Sequence, residues 1–591
     1  MPDNRIFWHP RAVEPNRGRQ AFDEPEVRPA ITIAAEAIAL ELRALGVRHF
    51  FLVTGGDNSI WIALRKHGIT QVLARSEASA VYMADAYARI TGLPTFVYGQ
   101  YGPGAGNVAG ALPEPLWSSS PVIAMPTSMR RQHRHAGEYQ ELEQIALFAG
   151  VTKWQGEAQI PERIPHLVRS AAIRAVSNPS GPVYAGIPSD ALELEIKDYV
   201  APAADSLRVA VPWQRTRPLS DRVAEALAAI EAAERPVVLA GNGVHLSRAY
   251  EPLRRVVEAL GLPVATSLSG KGAIAETHAL SIGTVGRYSR NYANALVREA
   301  DLIIAIGSRL GGLVTDSYRL FAKGVKVIHV DADPSVLNLN FPTDVAIHAD
   351  AATFLEDLEA AVRGRGHERA AWLERIRAER DSWTQRRREM ARADGGDGGP
   401  MRPEAVLAAV DELAPEDTLF LADTGYAAAW AGALVELKRA GHGFLRADGS
   451  LGWAVPASLG AQLASPDRPV VAITGDGGFG YHVGEIETAL RLGLPVVIVI
   501  LNNQTLAFEV HVQELLYKEV VEEVDDFVDV DYGAVARAFG AEGMRVRTSD
   551  EFREAFRNAL RRTRVTVIDA VVDRRAIGPV TRYDAVRDRE L

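Results

Sequence analysis

Two stretches decide the reading of this chain: Pro469-Val-Val-Ala-Ile-Thr-Gly-Asp-Gly-Gly-Phe-Gly480 and Pro495-Val-Val-Ile-Val-Ile-Leu-Asn-Asn503. Each opens on a short continuous apolar run, the pattern of a strand buried on both faces. The first run ends in Gly475-Asp476-Gly477 and the second in Asn502-Asn503, with a helix-like segment, Val483 to Leu492, between them. This spacing predicts a β-α-β unit with oxygen-bearing side chains at two strand ends, where open α/β sheets bind ligands. A carboxylate, a side-chain amide and a nearby backbone carbonyl suit a hard cation such as Mg2+, which commonly keeps a diphosphate as a further ligand. Gly475 to Gly480 also spells G-x-G-x-x-G, the outline of a dinucleotide turn. That fingerprint asks for an acid at the next strand tip, where this chain carries two asparagines. An aspartate inside the turn would moreover repel a bare pyrophosphate, and makes sense with a divalent cation between them.

Composition narrows the class. At 591 residues, with 47% apolar and 24% charged residues, the chain reads as a soluble globular protein of about three to four units. Its net charge of −10 argues against nucleic-acid binding, which needs a basic face. No apolar run approaches the roughly 18 residues of a membrane span. The absence of cysteine removes disulfides, thiolate catalysis and cysteine-ligated metals. The first thirty residues contain no apolar signal core, so a cytoplasmic enzyme is expected.

Strand and helix patterns alternate along the chain and predict three doubly wound parallel α/β sheets. The expected divisions are an N-terminal extension at 1–29, a first unit at 30–192, a central unit at 219–362, a charged linker at 363–402, a third unit at 403–573 and a tail at 574–591. The linker reads as a solvated, arginine-rich helix followed by a glycine-rich stretch.

The segments Ile473 to Tyr481 and Val499 to Gln504 resemble the cofactor signature of thiamin-diphosphate enzymes, specifically the acetolactate synthase, benzaldehyde lyase and 2-hydroxyacyl-CoA lyase group. The resemblance extends over nearly the whole chain. It implies pyrimidine-binding, central and diphosphate-binding units, in that order, and makes Asp476, the Asn503 side chain and the Thr505 carbonyl the Mg2+ ligands. Asp423-Thr-Gly-Tyr-Ala427 is similar to the loop whose amides hold the diphosphate, bringing Gly425 and Tyr426 to the cofactor alongside Gly477 and Gly478. Gly449-Ser450-Leu451-Gly452 matches the pyrimidine-binding turn, with Leu451 as the bulky residue that bends the cofactor; a core leucine is the other reading.

Glu77, within Arg75-Ser-Glu-Ala-Ser-Ala-Val-Tyr-Met-Ala-Asp-Ala-Tyr-Ala-Arg-Ile-Thr-Gly92, is similar to the family's glutamate. In the family that residue hydrogen-bonds N1′ of the aminopyrimidine, so that the 4′-nitrogen removes the C2 proton. An acid at a helix N-terminus would also be favourable for electrostatic reasons alone, by about 0.3–1 kcal/mol. Gly102-Pro-Gly-Ala-Gly-Asn107 resembles the loop beside the pyrimidine, and Gln140 matches an active-site glutamine. Tyr139 and the residues after it look more like the acyl-CoA branch.

Beyond the metal segment, Leu506-Ala-Phe-Glu-Val-His511 places an acid and an imidazole. A carboxyl in a desolvated cleft gains a raised pKa suited to proton transfer, making Glu509 a candidate beside His511. Asp57 and Asn58 are weaker candidates. In the central unit Gly307-Ser-Arg-Leu310 and His329 to Pro334 look like acetolactate synthase's nucleotide-accommodating fold, but Gly311-Gly312-Leu313 depart from its acidic pair and arginine. FAD, a CoA or ADP group, or no ligand all remain open there.

The resemblance implies a carbon–carbon lyase or carboligase acting through a C2 ylide and an enamine on a small 2-hydroxyacyl substrate, including 2-hydroxyacyl-CoA, or a 2-oxo substrate. An acetolactate synthase-like condensation of 2-oxoacids is the alternative, and a non-catalytic cofactor-binding subunit the alternative of another class. Glu77 and Asp476 lie on different units, and in the family the site forms between subunits, so a homodimer or homotetramer is expected. The arginine-rich tail is a candidate lid over CoA phosphates.

Overall fold

The computed structural model describes residues 32–362, 369–392 and 400–581. The N-terminal extension and the tail arginines Arg582, Arg587 and Arg589 lie outside the described residues. Three parallel α/β sheets follow one another along the chain. In the first, the strands run in the order Thr70–Leu73, His49–Leu52, Thr95–Tyr98, Val122–Ala124, Val183–Pro188 and Thr127–Ser128, with Gln155–Glu157 also paired to Val183–Pro188. The central sheet runs Ser281–Thr284, Val264–Thr266, Pro236–Ala240, Leu302–Ile306, Lys326–Asp331 and Val345–His348. The third runs Phe444–Arg446, Leu419–Ala422, Val470–Gly475, Val497–Asn502, Thr566–Val571 and Glu542–Val546.

The two opening stretches are adjacent parallel strands, with Gly475 opposite Leu501. The glycine turn is itself the start of a short helix, Asp476–Tyr481, and the longer helix after it, Glu485–Leu492, starts two residues later than the sequence pattern suggests.

The first and third units pack through two helices. Glu77–Thr91 is capped by Ser76, whose hydroxyl accepts the Ser79 amide at 3.1 Å, and ends at Gly92 in the left-handed region. Its partner, Ala454–Ala464, is built of small residues. Gly460 lies so close to the Met83 carbonyl that a Cβ there would collide with it. Across the same junction the Arg75 amide donates to Glu485 at 2.9 Å, and the Ser79 hydroxyl pairs with His482 at 2.9 Å.

The charged linker is a docked element rather than a fully solvated one. Within the helix Ala370–Arg392, Trp372, Ile376 and Trp383 are buried against the central and third units. Arg369, just before it, donates to the carbonyls of Ile230, Ala233 and Leu260. The arginines that suggested a solvated helix occupy its other faces, a periodicity that overall charge conceals.

Candidate functional site

Around the ends of the third sheet's strands lies a cavity of about 350 Å3. It is lined by Gly425 and Tyr426, by Gly449 and Leu451, by Asp476, Gly477 and Gly478, and by Asn503, Thr505 and Glu509. Every third-unit residue expected at the cofactor is therefore on one wall or another, together with Glu509. Gly425 has φ 76° and Gly449 φ 153°, backbone conformations that favour glycine. Gly425 caps the N-terminus of the helix Tyr426–Leu434, whose dipole suits an anionic group there. Gly478 abuts Asp423 and Thr474, where a Cβ would stand 2.9 and 2.7 Å from their side-chain oxygens. The turn is thus pressed against the sheet.

Asp476 is only 3% exposed. Burial pushes its carboxyl up to about 7, opposed by the backbone amides of Gly477 and Gln504. A buried carboxylate is relieved by a cation, and the donors beside it are all hard oxygens. The two asparagines divide their work. Asn502 turns inward and donates to Asp569 at 2.8 Å, whereas Asn503 lines the cavity and accepts the Thr505 amide at 3.3 Å. Among the described residues no cluster of three or more His, Cys, Asp or Glu side chains is placed to hold a metal. A set with one carboxylate, one amide and one backbone carbonyl has that character, leaving positions for diphosphate oxygens.

Leu451 is partly exposed at the cavity wall, unlike the leucines of the core. The turn carrying it is held by Asp423, whose Oδ1 accepts the Gly452 amide at 2.9 Å. Burial raises the Asp423 carboxyl to about 6 against the hydrogen bonds it accepts from Thr424, Gly452 and Thr474.

A second group of expected residues gathers on the first unit. Glu77 begins its helix, and its Oε2 accepts from Asn107 at 3.0 Å. Gly104 lies against the same carboxylate, where a Cβ would be 3.1 Å from Oε1. Gly102, at φ 74°, passes beneath Gln140, whose own φ is 63°. Gln140 accepts from Gln100 at 3.3 Å. None of these residues lines the third-unit cavity.

The Leu506 to His511 segment separates its two candidates. Glu509 is exposed at the cavity in this chain, so the enclosed cleft expected around it is not formed by this chain alone. His511 is buried, with Nδ1 2.6 Å from the Tyr426 hydroxyl, and stands one ring behind the lining. Asp57 turns into the first unit, accepting from Tyr98 at 2.6 Å and Thr127 at 2.7 Å, while Asn58 is exposed. Arg574, read as part of a lid, pairs with Asp526 at 2.8 Å.

Sequence reasoning missed Tyr288, which lines this cavity and also a larger one of about 450 Å3 in the central unit. That larger cavity lies at strand ends, among Asn242, Gly307, Arg309, Asp331 and Asp350. Burial raises the Asp331 carboxyl to about 6. Tyr288 sits outside any motif, and contacts such as its bridge to Val580 and its ring contact with Phe508 reveal its place.

Three family descriptions cover the chain in sequence: thiamine pyrophosphate enzyme, N-terminal TPP binding domain, over residues 33–147; central domain, over 223–358; and C-terminal TPP binding domain, over 423–570. The chain belongs to the thiamine pyrophosphate enzyme family. Within it, relatives similar to this chain include acetolactate synthases. A probable acetolactate synthase large subunit of Methanocaldococcus jannaschii is 33% identical over 551 residues, covering 91% of this chain and 92% of the relative. The acetolactate synthase large subunit of Parasynechococcus marenigrum is 32% identical, covering 92% and 88%. Isozyme 3 of Escherichia coli is 30% identical, covering 91% and 94%. The protein is thus a thiamin-diphosphate-dependent enzyme of the acetolactate synthase group, built from the three sheets described above. These relatives fit the condensation of 2-oxoacids better than the cleavage of 2-hydroxyacyl compounds. Among the described residues no helix is long and apolar enough to cross a membrane.

Proposed function

We propose that this enzyme joins two 2-oxoacids, releasing carbon dioxide from the first, as an acetolactate synthase-like carboligase. The supporting observation is the similarity to acetolactate synthases over nine-tenths of both chains. Bound thiamin diphosphate would supply a nucleophilic carbon that attacks the first 2-oxoacid and stabilises the electrons left by decarboxylation. This chain's residues do the rest. Asp476, Asn503 and the Thr505 carbonyl would hold Mg2+, and the Gly425–Tyr426 helix end would hold the diphosphate. Leu451 keeps the cofactor bent. Glu77 holds a proton at N1′ of the aminopyrimidine, and Gln140 and Glu509 orient and move protons at the substrate.

Glu77 and Gln140 are away from the third-unit cavity of their own chain, which supports a site completed by a second copy, in a homodimer or a pair of dimers. The name "large subunit" borne by the relatives supports a further, smaller partner. The central cavity, with an acid at the end of Lys326–Asp331, suits the ribose and phosphates of an adenine nucleotide such as FAD, ADP or CoA.

One observation favours a second reading, cleavage of a 2-hydroxyacyl substrate: a carboxylate, Glu509, stands at the cavity wall beyond the metal ligands. Incubation with thiamin diphosphate, Mg2+ and either pyruvate or a 2-hydroxyacyl-CoA, followed by mass analysis of products, separates the readings. Carbon dioxide and 2-acetolactate from pyruvate are expected. Inert pyruvate together with aldehyde release from the thioester would replace the first reading by the second.

A further inference from the structure

The turn carrying Leu451 is gripped from outside its own unit. Glu114 lies on the short helix Pro113–Ser118 of the first unit and is 2% exposed. Its two carboxylate oxygens accept backbone amides of the third unit: Oε1 from Asp448, and Oε2 from Ser450 at 3.1 Å. These amides flank Gly449 and immediately precede Leu451. Arg89, on the Glu77–Thr91 helix, holds Glu114 Oε1 at 3.1 Å and the Arg446 carbonyl at 2.8 Å. Asp85 on that helix pairs with Arg89 at 2.6 Å and accepts the Trp453 indole N–H at 2.9 Å. The Arg89 guanidinium also lies 4.9 Å from the centre of the Trp453 ring. Residues 446, 448, 450 and 453 are thereby tied to the first unit, while Asp423 secures 452 from the third.

This cluster is more elaborate than adhesion between two units requires. The helix pair 77–91 and 454–464 already supplies close apolar packing. Three carboxylates, of Asp85, Glu114 and Asp448, are buried around Arg89 and Arg446. Burial, with Asp448 nearby, pushes the Glu114 carboxyl up to about 7 while Arg89 opposes the shift. Burying like charges is costly, and here the cost is borne where two main-chain amides are fixed beside a cavity-lining leucine. A charged acceptor on consecutive alternate amides restrains both the position and the direction of the turn.

We propose that Glu114 is a positioning residue for the cofactor-bending turn, setting Leu451 through the Asp448 and Ser450 amides. This rests on the reading of Leu451 as the residue that bends thiamin diphosphate. Glu114 acts within one chain, and it lines neither of the two cavities described.

The test uses the full-length Glu114→Gln variant, which keeps the side chain's size and removes one acceptor oxygen, with Leu451→Ala as the comparison. Hydrogen–deuterium exchange of the 446–452 segment is measured without cofactor, and turnover per bound thiamin diphosphate with it. Exchange at Asp448 and Ser450 should rise by about tenfold or more, the effect of losing a hydrogen bond to a charged group. Turnover per bound cofactor should fall between about tenfold and 100-fold, as for a misplaced reacting group, with KM for the 2-oxoacid little changed. Faster exchange with unchanged turnover would reduce Glu114 to a structural role, and unchanged exchange would show that it does not hold the turn. If Leu451→Ala itself leaves turnover per bound cofactor intact, the bending reading fails instead. Should Glu114→Gln not fold, Glu114→Asp withdraws the carboxylate by a methylene and is judged by the same outcomes.

Discussion

The first and third sheets share a parallel α/β architecture but present their acids differently. Glu77 is only partly buried, at the start of a helix, and its carboxylate accepts from a neutral donor, Asn107. Asp476 is enclosed at a strand end among backbone amides, raised to about 7 by burial. One acid is displayed on a surface and the other is sunk in a cavity. A displayed acid can serve a cavity on another molecule, whereas a sunk one serves only its own. Under the proposed two-copy site, the first sheet would contribute an exported half-site and the third a retained one.

The largest expected effect comes from removing the exported group. Glu77→Gln should lower turnover by about 100- to 10,000-fold, the range for general acid–base groups, in steady-state assays with saturating cofactor. Retention of wild-type turnover would remove Glu77 from the mechanism. The division itself is broken or sharpened by mixing inactive Glu77→Gln chains with inactive Asp476→Ala chains. If each site joins two copies, mixed dimers contain one intact site and activity returns on mixing; if each chain builds its own site, none returns.

Next in size is Leu451→Ala, for which about a 100-fold loss of turnover is expected from a misplaced cofactor. Its thermal unfolding should change by less than the roughly 2–5 kcal/mol of a core leucine truncation, because the side chain is partly exposed. Equal damage to folding and turnover would restore the core reading. Comparable in turnover is Glu509→Gln. With the carboxylate exposed in a single chain, a loss near the low end of general acid–base contributions, about 100-fold, requires the second copy to cover it. A loss below that would make Glu509 a bystander at the cavity rim.

The retained half-site was the more legible in sequence. Its residues sit at strand ends, and strand ends are marked by apolar runs that stop at Gly-Asp-Gly, Asn-Asn or Asp-Thr-Gly. The sequence also separated Asn503 from Asn502 by resemblance, and the alternation of side chains along a strand explains it: one asparagine faces the sheet's interior and Asp569, the next faces the cavity. The position of His511 was not legible: on the short helix Ala507–Val512 its side chain turns behind Tyr426 instead of reaching the cavity wall. Glu114 and Tyr288 carried no local signal at all. Their importance comes from contacts more than two hundred residues away in the chain, and neither periodicity nor motif encodes such a distance. The docked face of Ala370–Arg392 failed for a third reason. Its two tryptophans are outnumbered by arginines, so composition reported the exposed faces and missed the buried one.

The contact between Gly460 and the Met83 carbonyl has a consequence for how this protein can change over time. Because no side chain fits there, the spacing of the Glu77–Thr91 and Ala454–Ala464 helices is fixed by backbone meeting backbone. Such a contact leaves almost no room for substitution at 460. The wall formed by Leu506 to Glu509 is under no comparable restraint. Leu506 and Glu509 line the cavity, and their replacement would leave the helix spacing intact. Change in descendants of this sequence is therefore expected at that wall sooner than at the helix pair, which remains the common gauge against which every variant is built.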